Sequence, residues 1–97
     1  MEDIVYYNNL YDLYGSLLTD KQRKYFEDYY FNNLSFSEMA DNYKVSRNAV
    51  FKQIHIVTDK LEEYEKKLGL LDKNNKIIKL IEKVSDKKLK EELEKLL

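Results

Sequence analysis

The stretch SFSEMADNYKVSRNAVFKQI, Ser35 to Ile54, decides the fold of this chain. Ser35 followed three residues later by Glu38 is a capping box, which opens a helix expected over residues 36–43. A two-residue turn follows, and Ser46 then caps a second helix through its hydroxyl group. Two helices joined by so tight a turn predict a helix-turn-helix, whose second helix can enter the major groove of DNA.

Side-chain sizes in this stretch suit a closely packed helix pair. Ala40 is small where the two helices must approach each other. The apolar residues expected to form their shared core are Met39, Tyr43, Val45, Val50 and Ile54. The turn often holds a left-handed glycine, whereas this chain offers only Asn42, Tyr43 or Lys44 there. A lysine in that conformation costs about 1 kcal/mol, which the motif tolerates.

Composition predicts a single all-α domain over residues 1–97. The chain has no proline and only two glycines, so helix breakers are scarce. Its hydrophobic fraction of 43% argues against disorder. A length of 97 residues corresponds to about one domain with a modest core.

Two helices are predicted before the motif. The first covers about residues 3–14 and ends at Gly15, which is placed as the left-handed residue after a helix. The second runs from the capping box of Thr19 and Gln22 to about Phe31 and carries a broad aromatic face. The helical spacing of its rings favours packing in the core over stacking on nucleic-acid bases.

The helix that begins after Ser46 is predicted to be long. Apolar residues at helical spacing continue to Leu68, and Gly69 ends the helix in the left-handed conformation. Asp72 is expected to cap a fifth helix, and a sixth begins at Lys87. These last two helices are short and amphipathic, so they require a partner surface, either the distal half of the fourth helix or a second subunit.

Gly69 marks the predicted boundary within the domain. Residues 1–69 form the helix-turn-helix core, and residues 70–97 form a C-terminal helical hairpin. The apolar stripe of the sixth helix consists of Leu89, Leu93, Leu96 and Leu97. The hairpin is therefore a candidate dimer element, and both a homodimer and a monomer stay open.

The start of the fourth helix carries side chains suited to nucleic acid. Arg47 matches a guanine or a phosphate, and Asn48 matches an adenine. Ser46 lies beside them, and Lys52 reaches a phosphate one turn further on. Phe51 lies off the core stripe, so we expect it to be partly exposed, either toward a partner protein or toward a thymine methyl group.

Three further candidate phosphate contacts lie at the start of the second helix, namely Gln22, Arg23 and Lys24. His55 is expected to be a surface residue without a role in the site. The charged runs after Leu61 are expected to be solvated helix faces.

Net charge counts against nucleic-acid binding. The chain has 17 basic and 18 acidic residues, a net charge of −1, whereas nucleic-acid-binding domains are usually basic. Residues 19–60 hold seven bases and six acids, so any basic surface must come from local arrangement. Two functions therefore stay open: a nucleic-acid-binding regulator that takes DNA or RNA, and a protein-interaction module without functional DNA binding.

Other classes of function are not expected. The sequence has no glycine-rich phosphate loop and no catalytic constellation, so it does not predict an enzyme. Without cysteine and with one histidine, it predicts neither a metal site nor a cofactor. No apolar run approaches the roughly 20 residues that span a bilayer, and the N-terminus MEDIVYY lacks a basic region. We therefore expect a cytoplasmic protein with no membrane partner.

The run LLTDKQRKYFEDYYFNNLSFSEMADNYKVSRNAVFKQI, followed by a long helix ending in KKLGL, resembles the YlxM family. These small bacterial proteins have a helix-turn-helix like that of sigma-factor region 4. The resemblance extends over nearly the whole chain and implies a sigma region-4-like core, a long fourth helix and C-terminal helices. It also implies a DNA-binding or regulatory protein linked to the signal recognition particle pathway, through its GTPase, its receptor or its RNA.

Overall fold

The computed structural model describes residues 3–97, and this range contains helices and no strand. Its α-helices are α1 (Ile4–Tyr14), α2 (Asp20–Phe26), α3 (Phe36–Tyr43), α4 (Arg47–Leu68), α5 (Leu70–Ile81) and α6 (Lys87–Glu94). The predicted all-α fold is confirmed. No helix in the described range combines the length and the apolar character that a membrane span requires.

The end of α1 differs from the prediction. Gly15 has right-handed backbone angles, φ −56° and ψ −34°, and begins a short 3₁₀ turn, so its predicted left-handed role was wrong. A Cβ atom at this position would lie 3.0 Å from the ring of Tyr11. The need for glycine here is thus the close approach of an aromatic ring, not a special backbone conformation.

The second helix reaches Phe31 as predicted, but its last turn is wider than an α-helical turn. Thr19 and Gln22 form the predicted capping box. Residues Glu27–Phe31 then continue as a π-helical turn, closed by the bond from the Asn32 N–H to the Glu27 carbonyl oxygen at 2.9 Å. Most of the aromatic face packs inward, whereas Phe31 remains half exposed and meets other rings only along its edge.

Two clusters of buried side chains form the core, and α4 contributes to both. The first joins α1, α2 and α4 through Leu10, Tyr14, Leu18, Phe26, Val57 and Leu61. The second joins α2, α3 and α4 through Tyr25, Met39, Ala40, Val50 and Ile54. Each large side chain buried in this way contributes roughly 1.5–3 kcal/mol of hydrophobic stabilisation. The long helix therefore fixes the helix-turn-helix rigidly against α1.

We call residues 70–97, which contain α5 and α6, the arm. Within the chain, α5 packs mainly against α1, with Leu13 and Leu71 both meeting the first core cluster. α6 packs against α5, and Ile81 is the one residue of these two helices that is buried. The molecule measures 55 × 25 × 22 Å, so it is markedly elongated.

The N-terminus of α5 is capped from a distance. Gly69 ends α4 in the left-handed conformation, as predicted, and α5 starts at once. Glu65 of α4 accepts hydrogen bonds from the backbone N–H groups of Leu71 at 3.0 Å and Asp72 at 3.2 Å. The prediction that Asp72 caps this helix was wrong, because Asp72 lies inside the first turn and Glu65 satisfies the free N–H groups instead.

Tyr14 of α1 completes this cap. Its hydroxyl donates to Glu65 at 2.6 Å and accepts from the Leu70 N–H at 3.0 Å. Burial alone would raise the pKa of Glu65, but hydrogen bonds from Tyr14 and from the backbone of Leu71 and Asp72 outweigh it and lower that pKa. The ionised carboxylate therefore ties α1, α4 and α5 together.

Candidate nucleic-acid interface

The turn of the helix-turn-helix is built on Lys44. This residue has left-handed angles, φ 57° and ψ 45°, and takes the position for which the sequence left three candidates. The N–H groups of Lys44 and Val45 both bond to the carbonyl oxygen of Ala40. Val45 was predicted to lie in the shared core but is 41% exposed, because the left-handed residue before it turns the chain outward.

The capped start of α4 presents its first turn to solvent. The Ser46 hydroxyl accepts a hydrogen bond from the Ala49 N–H at 3.0 Å, which confirms the predicted N-cap. Arg47 and Asn48 follow, both exposed, and the first turn contains no acidic residue. The partial positive charge of the helix N-terminus is therefore available to an anion beside a cationic side chain.

Five exposed side chains in the first half of α4 form one outward stripe. Taking Arg47 as position 1, positions 1, 2, 5, 6 and 9 are all exposed, whereas Val50 and Ile54 behind them are fully buried. These exposed positions are Arg47, Asn48, Phe51, Lys52 and His55. They span roughly 13 Å of helix at 1.5 Å per residue, which suits insertion into a major groove. We call this set the reading face.

The charge of α4 becomes mixed after the reading face. The exposed charged residues there are the acids Asp59, Glu62 and Glu63 and the bases Lys60, Lys66 and Lys67. A phosphate backbone lying along this distal half would meet carboxylates as well as lysines. The first turns of α4, which carry Arg47 and Lys52 and no acid, are therefore its most favourable part for nucleic acid.

A chain of aromatic rings supports the reading face from below. Tyr29 stacks on Phe36 with ring centroids 4.9 Å apart, and Phe36 meets Phe51 edge-on at 5.8 Å. Phe51 in turn contacts the His55 ring at 4.4 Å. Phe51 is 39% exposed, so the predicted partial exposure is confirmed. The contacts on both sides fix the direction in which its free part points.

Lysine side chains of α2 lie near the end of α3 and the turn. The rings of Tyr25 and Tyr43 stack at 4.5 Å, which joins α2 to the end of α3. Lys24 lies 5.5 Å from the centroid of the Tyr43 ring, and Lys21 lies 6.0 Å from that of Tyr25. Together with Lys44 they form a basic rim beside the turn. Sequence reasoning missed Lys21 and Lys44, although Lys21 lies at i−3 from Lys24 and thus on the same helix face.

Asp28, an acidic residue of the second helix, has a hydrogen-bond partner on α3. The Tyr43 hydroxyl donates a hydrogen bond to the carboxylate of Asp28. Burial, this hydrogen bond and the negative charge of Asp28 all raise the pKa of Tyr43, so its hydroxyl keeps the proton. The Asp28 carboxylate is therefore held in the contact between the second helix and α3.

Two of the predicted phosphate contacts have other partners. The side chain of Gln22 accepts from the Thr19 N–H at 2.9 Å within the capping box. Arg23 donates to the carbonyl oxygen of Leu18 at 3.2 Å and forms an ion pair with Asp20. These bonds direct both side chains toward the start of α2, away from Lys24. Their contact with phosphate stays a prediction. Both side chains already have a structural role at the start of α2.

The residues that the structure describes bring together no cluster of three or more metal-ligating side chains. They do bring together two helices with a shared buried core, a tight turn between them and an exposed stripe on the second helix. This arrangement defines the chain as a helix-turn-helix protein.

Comparison with known proteins identifies the family to which the chain belongs. The chain belongs to the UPF0122 family, described as "putative helix-turn-helix protein, YlxM / p13 like", which matches residues 1–97. The family resemblance seen in the sequence is thereby confirmed. The family's description names a helix-turn-helix and no enzymatic reaction.

Several bacterial relatives share this similarity. UPF0122 protein TTE1463 of Caldanaerobacter subterraneus is 44% identical over 85 residues, which cover 88% of this chain and 73% of the relative. UPF0122 protein GK1195 of Geobacillus kaustophilus is 44% identical over 86 residues, 89% of this chain and 78% of the relative. UPF0122 protein OB1530 of Oceanobacillus iheyensis is 42% identical over 93 residues, 92% and 89% of the two chains. The similarity thus extends well beyond the helix-turn-helix.

Proposed function

We propose that this protein is a regulator that binds duplex DNA through the reading face of α4. The proposal rests on the distribution of exposed and buried side chains on that helix. Arg47, Asn48 and Lys52 are exposed on its outer face, while Val50 and Ile54 on the opposite face are fully buried in the helix-turn-helix core. Arg47 and Asn48 supply the fork-shaped and amide groups that pair with guanine and adenine edges, and Lys52 supplies a phosphate contact.

The basic rim supports the same function despite the net charge of −1. Lys21, Lys24 and Lys44 lie beside the turn, where a DNA backbone would pass as α4 enters the groove. The exposed acids of α4 begin only at Asp59, beyond the reading face. Local arrangement thus supplies the positive surface that the overall composition lacks. This function is consistent with the cytoplasmic location that the sequence predicts.

A binding assay at several salt concentrations tests the proposal. Fluorescence anisotropy with a labelled random-sequence duplex should show an affinity that falls steeply as salt rises, because bound phosphates release counterions. Arg47→Ala should weaken binding by about tenfold or more, in line with the loss of a bidentate base contact. Lys24→Ala should weaken binding to all sequences and reduce the salt dependence.

Lys66→Ala serves as the matched control. Lys66 is also an exposed base of α4, but it lies in the last turn, far from the reading face. Its replacement should leave affinity and salt dependence unchanged. Binding that ignores salt, or equal losses for Arg47→Ala and Lys66→Ala, would contradict the proposal.

We also propose a second function, that of a protein-interaction module of the signal recognition particle pathway, as the resemblance to YlxM proteins implies. In this alternative the fold contacts the pathway's GTPase, receptor or RNA and does not bind DNA functionally. The near-neutral charge of −1 favours it, since a dedicated DNA-binding domain is usually basic. Capture of the purified GTPase by the immobilised protein after nuclease treatment would support direct contact. Capture that nuclease abolishes would point to the RNA.

For the arm we propose pairing with a second copy of the chain. Leu80, Leu89 and Leu96 are 62%, 46% and 82% exposed, and the sequence around them contains both bases and acids. Such mixed charge is complementary to itself in a two-fold arrangement, and a dimer would place two reading faces on two half-sites. Light scattering over a concentration series should show a dimer that Leu80→Lys disrupts. A mass that stays monomeric at the highest concentration would contradict this.

A further inference from the structure

Phe51 is the one large apolar residue of the reading face. It lies between Arg47 and His55 along the stripe and is 39% exposed, while its polar neighbours could all be satisfied by water. An exposed aromatic ring gains free energy when an apolar group covers it. Contact with an apolar group of a bound nucleic acid would therefore stabilise the complex at this position.

The ring of Phe51 is held in one orientation. Phe36 meets it edge-on at an interplanar angle of 77°, and His55 meets it at 72° on the next turn of α4. Phe36 is itself stacked on Tyr29, which belongs to the end of the second helix. This support means that the free part of the Phe51 ring does not collapse onto α4. It stays available as a small, rigid apolar spot.

The chemistry of the grooves limits what can cover this spot. In the major groove of DNA, the apolar group displayed by the base edges is the C5-methyl group of thymine. RNA carries uracil, which lacks this methyl group, and its A-form major groove is too deep and narrow for side chains to read. Arg47 and Asn48, one turn earlier, are the residues that would select neighbouring purines.

We propose that Phe51 is a specificity-determining residue that recognises a thymine methyl group in duplex DNA, beside the bases read by Arg47 and Asn48. This inference rests on the proposed DNA-binding function and deepens it. It names the nucleic acid as double-stranded DNA rather than RNA, and it assigns a base type to one position of the site.

Substitution of thymine by deoxyuridine removes only the methyl group and tests the proposal directly. Duplexes that the full-length protein retains are first enriched from a random pool, and the protected bases are mapped. Each protected thymine is then replaced singly by deoxyuridine. One replacement should weaken binding about fourfold, the factor expected for one buried methyl group. The same replacement outside the protected bases is the control and should change nothing.

Variants of Phe51 assign the effect to this ring. Phe51→Ala should bind the thymine and deoxyuridine duplexes with equal affinity, and Phe51→Leu, which keeps an apolar side chain, should retain most of the difference. Circular dichroism and thermal unfolding verify that both variants are folded. Lys52→Ala should weaken binding to both duplexes by the same factor and so preserve their ratio.

The failure of this inference differs from failure of the proposed function. If salt-dependent duplex binding persists but no protected thymine shows a deoxyuridine effect, the Phe51 assignment is overturned and DNA binding stands. The assignment is also overturned if Phe51→Ala still prefers thymine, or if an RNA duplex of the same sequence binds as tightly. If no duplex is enriched at all, the proposed function fails, and this inference fails with it.

Discussion

The helix-turn-helix and the arm are both helix pairs, yet they are held in opposite ways. In the helix-turn-helix, Ser35 and Ser46 cap their own helices within three residues of the bonded N–H group. In the arm, Gly69 gives α5 no capping side chain, and Glu65 on the preceding helix supplies the carboxylate. One unit is thus specified locally, and the other depends on a contact with its neighbours.

Burial separates the two regions in the same way. α3 and the first half of α4 contribute Met39, Val50 and Ile54, all at 0% exposure, to one cluster. The arm buries Ile81 alone and leaves most of its leucines in solvent. The helix-turn-helix is therefore held by local caps and a buried core shared with α2. The order of the arm depends on the tyrosine–glutamate cap and on what covers its apolar face.

The largest expected effect is a cavity in the helix-turn-helix core. Ile54→Ala should lower the free energy of unfolding by about 3 kcal/mol, because a fully buried side chain is removed from between α3 and α4. Ile81→Ala is the matched change in the arm and should cost less, since its neighbours there are exposed and can close the gap. Urea unfolding measures both. Equal losses would remove the distinction between the two regions.

Removal of the distant cap should have the next largest effect. Glu65→Ala leaves the Tyr14 hydroxyl and the N–H groups of Leu71 and Asp72 without their acceptor, which should cost about 2 kcal/mol. Hydrogen exchange should speed up in α5 and leave α3 unchanged. Glu63→Ala, which removes an exposed acid of the same helix and its ion pair with Lys67, should leave the exchange of α5 unchanged. Uniform acceleration in α3 and α5 would contradict the local role of Glu65.

Acid should loosen the arm before it affects the reading unit. The folded state lowers the pKa of Glu65 below its ordinary value of 4.5. A depressed carboxyl pKa contributes stability that is present above pH 4.5 and is lost as pH falls through the folded pKa. The protection of α5 amides, measured relative to the intrinsic exchange rate at each pH, should therefore fall in this acidic window. Glu65→Gln, which cannot titrate, should flatten this dependence, and a slope that persists in the variant would assign it to other carboxyls.

The local features of the fold could be read from the sequence. The three capping residues Thr19, Ser35 and Ser46, and the left-handed Gly69, lie where the sequence predicts them, because each acts on its own chain neighbours. The candidate site shares this property. The exposure of Arg47 and Asn48 follows from helical periodicity counted from a secure N-cap.

The errors concern features set by tertiary contacts. Gly15 is required by the ring of Tyr11, and the cap of α5 comes from Glu65, which no local spacing rule connects to it. Val45 has the polarity of a core residue, but the left-handed turn before it points its side chain to solvent. Spacing alone puts Lys21 on the same helix face as Lys24, but the stacking of Tyr25 on Tyr43 is what brings that face to the end of α3. Such information is carried by packing between elements and is invisible to a local sequence pattern.

The smallest of the expected effects is a stabilisation. Lys44 adopts φ 57°, a conformation that costs a residue with a Cβ atom roughly 1 kcal/mol and costs glycine almost nothing. Lys44→Gly should therefore raise the free energy of unfolding by somewhat less than this, because glycine also gains entropy in the unfolded chain. The same change deletes a base from the rim, so DNA affinity should fall modestly while stability rises.

Lys44→Asn separates the two effects, since asparagine tolerates the left-handed region and is also uncharged. It should show the same loss of affinity with a smaller gain in stability. If both variants were destabilised, the turn would be held by contacts of the lysine side chain rather than by its backbone alone.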